Sequence, residues 1–522
     1  MRLQGFLLAG VVVFSGAVGS VHAQETLNFS WALNVGPMNP HVTAPNQMFA
    51  QTMVYESLVK YQPDGSIAPW LAQSWDISED GKTYTFQLRQ DVTFSNGEAF
   101  DAAAVKANFD AILTNHERLA WLELVNRIAG TSVVDAFTFQ LTLNDPYYPT
   151  LYDLALPRPF RFLAPSQIPE TGSTAEGVIA PVGTGPFTLA ESALGVSDTF
   201  SRNESYWGEP AGYGRVVVKV VPDANTRSIA FDTGEIDLIY GTEGQISPDT
   251  FERYRQMGTY QVAVSGPLAT RTLSVNSNRP NLGDLLVRKA IGHSIDKDAL
   301  VNSVLYGTQT RADTLFAPNV PYTDVGLTPY GLDRDEAARL LDEAGWTATD
   351  GQMRSKDGVA LSLDLAFIGT DATQKAIAEI IQADLRTVGI AVNLIGEERT
   401  GHYDRLKNGQ YDLTFADSYG APYDPHAYIA TWRVPTGADY QSQLGLESKA
   451  KIDEKITAVL NTIDEQERQA LYTDILTEIH EQAVYVPLTY ISAIAVAKPE
   501  VDNLSFGATV NEFDFFKLQP AQ

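Results

Sequence analysis

Residues Thr83 to Leu88, TYTFQL, alternate polar and apolar side chains and predict a strand buried on one face. The period then changes. In DAAAVKANFDAIL, Asp101 to Leu113, the aspartate stands at an N-cap position and Val105, Phe109 and Ile112 fall on one helical face. Strand followed by helix recurs downstream, where DEAARLLDEAG (Asp335 to Gly345) and Ala372 to Gly389 predict amphipathic helices, each closed by a glycine. VRKAIGHSIDKDAL, Val287 to Leu300, reads as one continuous helix. Mixed strand and helix signals with no tandem repeat or low-complexity tract predict an α/β fold. The chain has 522 residues, and single cores stop growing near ~250–300 residues, so two lobes are expected.

SGPLATRTLSVNSNRPNLGD, Ser265 to Asp284, combines turn residues with a short extended run and is the expected first crossing between lobes. A second crossing is expected near YVPLTY, Tyr485 to Tyr490, which would let the C-terminus return to the first lobe.

The N-terminus adds a location. MRLQGFLLAGVVVFSGAVGSVHA has a basic start, an apolar run from Phe6 to Val18 and a small-residue V-x-A ending, the pattern of a cleavable export signal over residues 1–23. The apolar run is shorter than the ~20 residues that span a bilayer. With no cysteine in the chain, disulfides, thiolate metal sites and a lipid-modified N-terminal cysteine are excluded. A periplasmic protein without a lipid anchor is expected. The formal net charge of −27 argues against nucleic acid as a partner, because such a surface repels phosphates.

Catalytic motifs fail on spacing. Gly81-Lys82-Thr83 resembles the end of a phosphate loop, but the first glycine of that loop is replaced by Asp76. Gly292-His293-Ser294-Ile295-Asp296 lacks the last glycine of a nucleophile elbow. Gly183-Thr184-Gly185-Pro186 lacks the third glycine of a dinucleotide loop, and its proline removes a backbone N–H. The histidines form no H-E-x-x-H or other close metal-ligand spacing. An enzyme is not expected.

One block is more specific: YESLVKYQPDGSIAPWLAQSWDISEDGKTYTFQLRQDVTFSNGEAFDAAAVKANFDAIL, Tyr55 to Leu113. It resembles the signature region of the extracellular solute-binding proteins that serve ABC importers of oligopeptides, dipeptides and nickel. GTGPF (Gly183 to Phe187), RNESYWG (Arg202 to Gly208), FDTGEIDLIYG (Phe231 to Gly241), VRKAIGHSIDKDAL and YGAPYDPHAY (Tyr419 to Tyr428) extend the likeness over essentially the whole mature chain. LAWLEL (Leu119 to Leu124), ALPRPFRF (Ala155 to Phe162), YGTQ (Tyr306 to Gln309) and FIGTDA (Phe367 to Ala372) are most similar to the nickel branch of that family.

The resemblance implies a two-lobed periplasmic binding protein fold of type II, with a hinge and an extra subdomain in the first lobe. It places the first lobe at residues 24–268 plus 488–522, with the inserted subdomain near 55–170, and the second lobe at 269–487. It further implies a cleft that closes on a metal chelate, with Arg158 gripping the chelator's carboxylates through a bidentate guanidinium fork. Arg118 is a second cation near that pocket, and Trp121, Tyr419 and Tyr423 are its aromatic walls. Met48 matches a methionine close to the metal, and Asn511 completes the implied ligand-binding positions. Two positions depart from the nickel branch: Thr43 stands in place of a tyrosine, and Tyr419 in place of a tryptophan. A third departure concerns the metal. Gly437, in RVPTGADY, replaces the histidine that is the branch's direct protein ligand, so no direct protein ligand is expected, and His426 and His41 are the remaining candidates.

The expected cargo is therefore a preformed nickel complex, or that of a related transition metal, with a small chelator such as free histidine or a polycarboxylate. No covalent cofactor is expected, and haem stays open as a ligand although nothing in the sequence indicates it. The expected partner is an inner-membrane ABC permease, and the chain is expected to act as a monomer. A di- or oligopeptide carrier of the same fold is the alternative.

Overall fold

The computed structural model describes residues 25–42, 47–242, 244–348, 352–510 and 512–521. The expected export signal, Thr43 and Asn511 lie outside them. Two lobes are built on separate sheets. In the first, the strands Thr26–Trp31, Arg215–Val220, Ser197–Arg202 and Phe187–Ala193 lie side by side in that order, the first pair parallel and the others antiparallel. A smaller antiparallel sheet, Leu238–Gly241, Ile494–Ala497 and Gln261–Val264, completes that lobe. The second lobe holds a six-stranded mixed sheet in the order Thr310–Arg311, Tyr485–Ile491, Ala269–Val275, Leu413–Asp417, Ser362–Ile368, Ala391–Glu397. Among the described residues, no helix is long and apolar enough to cross a membrane.

Local chemistry explains the elements. Strand Thr83–Leu88 buries Tyr84, Phe86 and Leu88 and turns its polar positions outward, at the centre of the antiparallel subdomain sheet Ala72–Ile77, Thr83–Leu88, Thr138–Leu143, Ile128–Asp135. Helix Ala102–Leu113 covers that sheet, and Asp101 caps it by accepting from the Ala104 N–H at 2.8 Å. Asp371 caps helix Ala372–Thr387 in the same way, and Gly389, at a φ of +86°, turns the chain after it. The segment Val287 to Leu300 departs from the expected continuous helix. It ends at Ser294, because Ile295 is extended and the Asp296 side chain caps a new turn by accepting from the Ala299 N–H at 2.9 Å.

The chain passes between lobes twice, side by side. The first passage runs from Val264 to Ala269, and the second lies at Ser492 and Ala493. Ser265 ties them, its N–H donating to Ala493 O at 2.8 Å and its Oγ accepting from Ala493 N at 2.9 Å. The second passage falls a few residues later than the sequence reading placed it: Leu488 to Ile491 belong to the second-lobe sheet. The reason is two-sided pairing, since Ala269–Val275 and Thr310–Arg311 flank the strand Tyr485–Ile491.

The C-terminal tail returns to the first lobe, where Phe513 stacks on Phe49 at 5.3 Å and Phe515 meets Phe29 at 5.1 Å. Each lobe has its own core. A further apolar cluster is continuous across the junction, joining Phe86, Phe109 and Phe160 of the subdomain to Trp432, Tyr472 and Ile475 of the second lobe. The lobes are therefore closed on one another.

Candidate functional site

Where the subdomain meets the second lobe, the segment Ala155 to Phe162 faces the loop Tyr419 to Tyr423. Arg158 is half-buried there, its guanidinium 5.7 Å from the centre of the Trp121 ring. It also faces the Tyr423 phenol. Burial pushes that phenol up to about 12, and the charge of Arg158 and its hydrogen bonding work against the shift. Tyr419 stands perpendicular to Tyr423 with ring centres 6.4 Å apart. Trp121 and Tyr419 remain 46% and 44% exposed, which is unusual for large aromatic rings and leaves two flat faces open to a ligand.

Two supports hold this arrangement. Arg161, three residues beyond Arg158, is buried and donates from Nη1 to Tyr55 O at 3.0 Å and from Nε to Leu156 O at 3.1 Å, with Glu512 of the tail 3.6 Å from Nη2. Across the junction, Asp424 pins the tyrosine loop: Oδ2 accepts from Ser418 Oγ at 2.6 Å and from Gly420 N at 3.0 Å, and Oδ1 accepts from Tyr419 N at 3.1 Å. Burial raises the Asp424 carboxyl to about 6 despite those donors. Gly420, at φ +75°, presses against the first passage, where a Cβ would lie 2.7 Å from Leu268 O. Neither support was singled out from the sequence. Asp424 had a faint signal, an aspartate closing a turn-rich run that begins with a serine. Arg161 had none, because its partners come from distant segments.

The other anticipated residues are more dispersed. Arg118 lies on the exposed helix His116–Leu119 and donates from Nη1 to Ala175 O at 3.3 Å. Met48 opens the first-lobe helix Met48–Val54 and is half-buried, and the described contacts do not join it to the arginine and tyrosine cluster. Gly437 precedes the helix Ala438–Gln443 and lies close to Tyr419: a Cβ there would sit 3.5 Å from Thr431 O, and the Thr431 hydroxyl accepts from Tyr419 Oη at 3.5 Å.

The two histidine candidates are engaged in packing instead of facing the cleft. His41 is fully buried, with Nε2 3.0 Å from Asn108 Oδ1 and 3.2 Å from Arg161 O. Two acceptors at Nε2 require an N–H there, so the Nδ1 lone pair receives the Thr174 hydroxyl, 3.0 Å away, and none is left for a metal. His426 is likewise buried, with Nε2 2.9 Å from Asp153 Oδ1. Among the described residues, no group of three His, Asp or Glu side chains could hold an ion.

Burial lowers His41 from the usual 6.5 to about 4, which has a consequence for stability. The unfolded chain takes up a proton there below pH 6.5 while the folded chain does so only near 4. The stability due to neutral His41 is therefore complete above 6.5 and is lost as the pH falls toward 4, by about 3 kcal/mol. Thermal unfolding of wild type and His41→Gln across that range should show the variant less stable at pH 7 but lacking this part of the acid sensitivity.

Comparison with known proteins agrees with this architecture. Residues 66–440 match the family described as bacterial extracellular solute-binding proteins, family 5 Middle. The chain is 50% identical over 501 residues to the nickel-binding periplasmic protein of Escherichia coli K12, covering 96% of this chain and 95% of that one. Among solved structures, NikA from Brucella suis in complex with Fe(III)-EDTA is 59% identical with a TM-score of 0.93, covering 95% of this chain and all of that one. The periplasmic binding protein DppA from Helicobacter pylori in complex with the peptide STSA is more distant, at 26% identity and a TM-score of 0.73, over 95% of this chain and 98% of that one. The matched region spans most of the chain and both lobes, so this protein belongs to the bacterial extracellular solute-binding proteins of family 5 and is a binding protein, not an enzyme.

Proposed function

We propose that the protein captures a preformed, negatively charged nickel chelate in the cleft between its lobes and delivers it to an inner-membrane ABC permease. The observation that carries this reading is Arg158, held half-buried between Trp121 and Tyr423, with no histidine donor at position 437. A guanidinium between aromatic walls suits a carboxylate-bearing passenger and repels a bare cation. A borderline divalent ion prefers imidazole, and with glycine at 437 its donors must come from the chelator or from water. The 50% identical relative is named for nickel, and the 59% identical one holds Fe(III) inside a polycarboxylate, which supports an anionic complex as the cargo class. Free histidine and polycarboxylates are the chelators to test. The protein would work in the periplasm after removal of residues 1–23.

Isothermal calorimetry with nickel chloride alone, nickel with free histidine, and nickel with a polycarboxylate tests the reading. Binding of the chelates and not of the bare ion is expected, and tight uptake of uncomplexed nickel would refute it. Gly437→His should restore a donor beside Tyr419 and raise affinity for uncomplexed nickel by about tenfold, equivalent to about 1.4 kcal/mol. The added Cβ would lie 3.2 Å from Val434 O, so a small local shift must accompany it.

A further inference from the structure

Two ionisable side chains meet in the sealed junction between the lobes. Asp153 belongs to the subdomain helix Thr150–Leu154, and His426 opens the second-lobe helix His426–Thr431. Their contact, Nε2 to Oδ1 at 2.9 Å, crosses the junction, with the side chains 0% and 1% exposed. The rings of Tyr148 and Tyr152 flank the imidazole at 6.3 and 5.8 Å and shut out water. A carboxylate and an imidazole buried this way add little net stability, because desolvating both offsets their attraction. Either one alone in the same place is strongly unfavourable. The pair therefore rewards one register of closure and penalises closure without it.

We infer that Asp153 and His426 form an interlobe latch, a pair of positioning residues that sets how readily the lobes close on whatever solute the cleft holds. Opening returns both groups to water, where neither needs the other. When the closed form is only a fraction of the population, apparent affinity is the intrinsic affinity scaled by that fraction. Loss of the latch then weakens every ligand by one common factor, whereas Arg158 separates ligands by their charge.

Asp153→Ala leaves the imidazole without its partner only in the closed form, while Asp153→Asn keeps an oxygen that accepts from Nε2. With nickel–histidine and Fe(III)–EDTA as probes, Asp153→Ala is expected to raise Kd about 100-fold for both alike. Asp153→Asn should recover most of that loss, and the unfolding midpoint of the ligand-free protein should barely move. Unequal factors for the two probes, or an equivalent fall in ligand-free stability, would overturn the latch. A second readout needs no ligand. The chain lacks cysteine, so Glu123→Cys and Arg433→Cys, replacing an ion pair 2.9 Å apart across the same junction, can be bridged by a bismaleimide only when the lobes are closed. The bridging rate should fall by the same factor in the Asp153→Ala background. An unchanged rate overturns the latch whatever the cargo, and a slowed rate beside a wild type that binds neither probe supports the latch and overturns only the cargo reading.

Discussion

Arg158→Gln is expected to weaken binding of an anionic chelate by about 30-fold to a few thousandfold, the effect of about 2–5 kcal/mol from removing one partner of a buried charge pair. The loss should be largest for the passenger with most carboxylates, since the guanidinium grips one of them through two parallel N–H donors and its charge attracts the others. Arg158→Lys keeps the charge without the fork and should fall between wild type and glutamine. Arg118→Gln should cost much less, because Arg118 sits on an exposed helix where water screens its charge. Calorimetric titration of the three variants with Fe(III)–EDTA and with nickel–histidine would check this. If Arg158→Gln bound both probes as wild type does, the proposed clamp would have to be abandoned.

Glu56→Ala is expected to produce the largest loss of stability among single changes in the first lobe. Its carboxylate is buried and accepts four hydrogen bonds: from Trp70 Nε1 at 2.8 Å and Tyr206 Oη at 3.0 Å on one oxygen, and from Thr184 Oγ1 at 2.8 Å and Trp207 Nε1 at 2.9 Å on the other. Burial pushes the carboxyl up from its usual range, and the four donors act against that shift. Without the acceptor, two indole N–H groups and two hydroxyls face each other with no partner, at about 1–3 kcal/mol for each that stays dry. A loss of about 4 kcal/mol or more is expected in urea unfolding of the ligand-free protein, measured as a shift of the midpoint at constant slope. Glu56→Gln should be milder but still destabilising, because its amide N–H2 cannot accept from the indole it would face. A near-neutral Glu56→Ala would mean that water enters and replaces the acceptor.

The contrast between these two positions shows which features local sequence reveals. The strand at Thr83, the cap at Asp101 and Gly389, which closes the helix before it, were legible, because alternation, N-cap chemistry and positive φ each act within a few residues. The break at Ile295 was not, since a helical hydrophobic pattern persists across it while one side-chain cap redirects the backbone. Arg158 could be proposed only through family likeness. Alone it is one arginine among many, and its setting is made by Trp121 from the subdomain and Tyr423 from the other lobe.

By itself, the sequence determined that the chain is α/β, too long for one core, without cysteine chemistry and built from elements whose limits are set by neighbours along the chain. Tertiary structure alone decided the rest: that His41 is sealed among Asn108, Thr174 and Arg161, that Asp424 holds the tyrosine loop, and that His426 meets Asp153 from 273 positions away. The reason is physical. Desolvation and hydrogen-bond satisfaction depend on what surrounds a group in space, and for these side chains the surroundings come from segments that adjoin only when the two lobes have folded and closed.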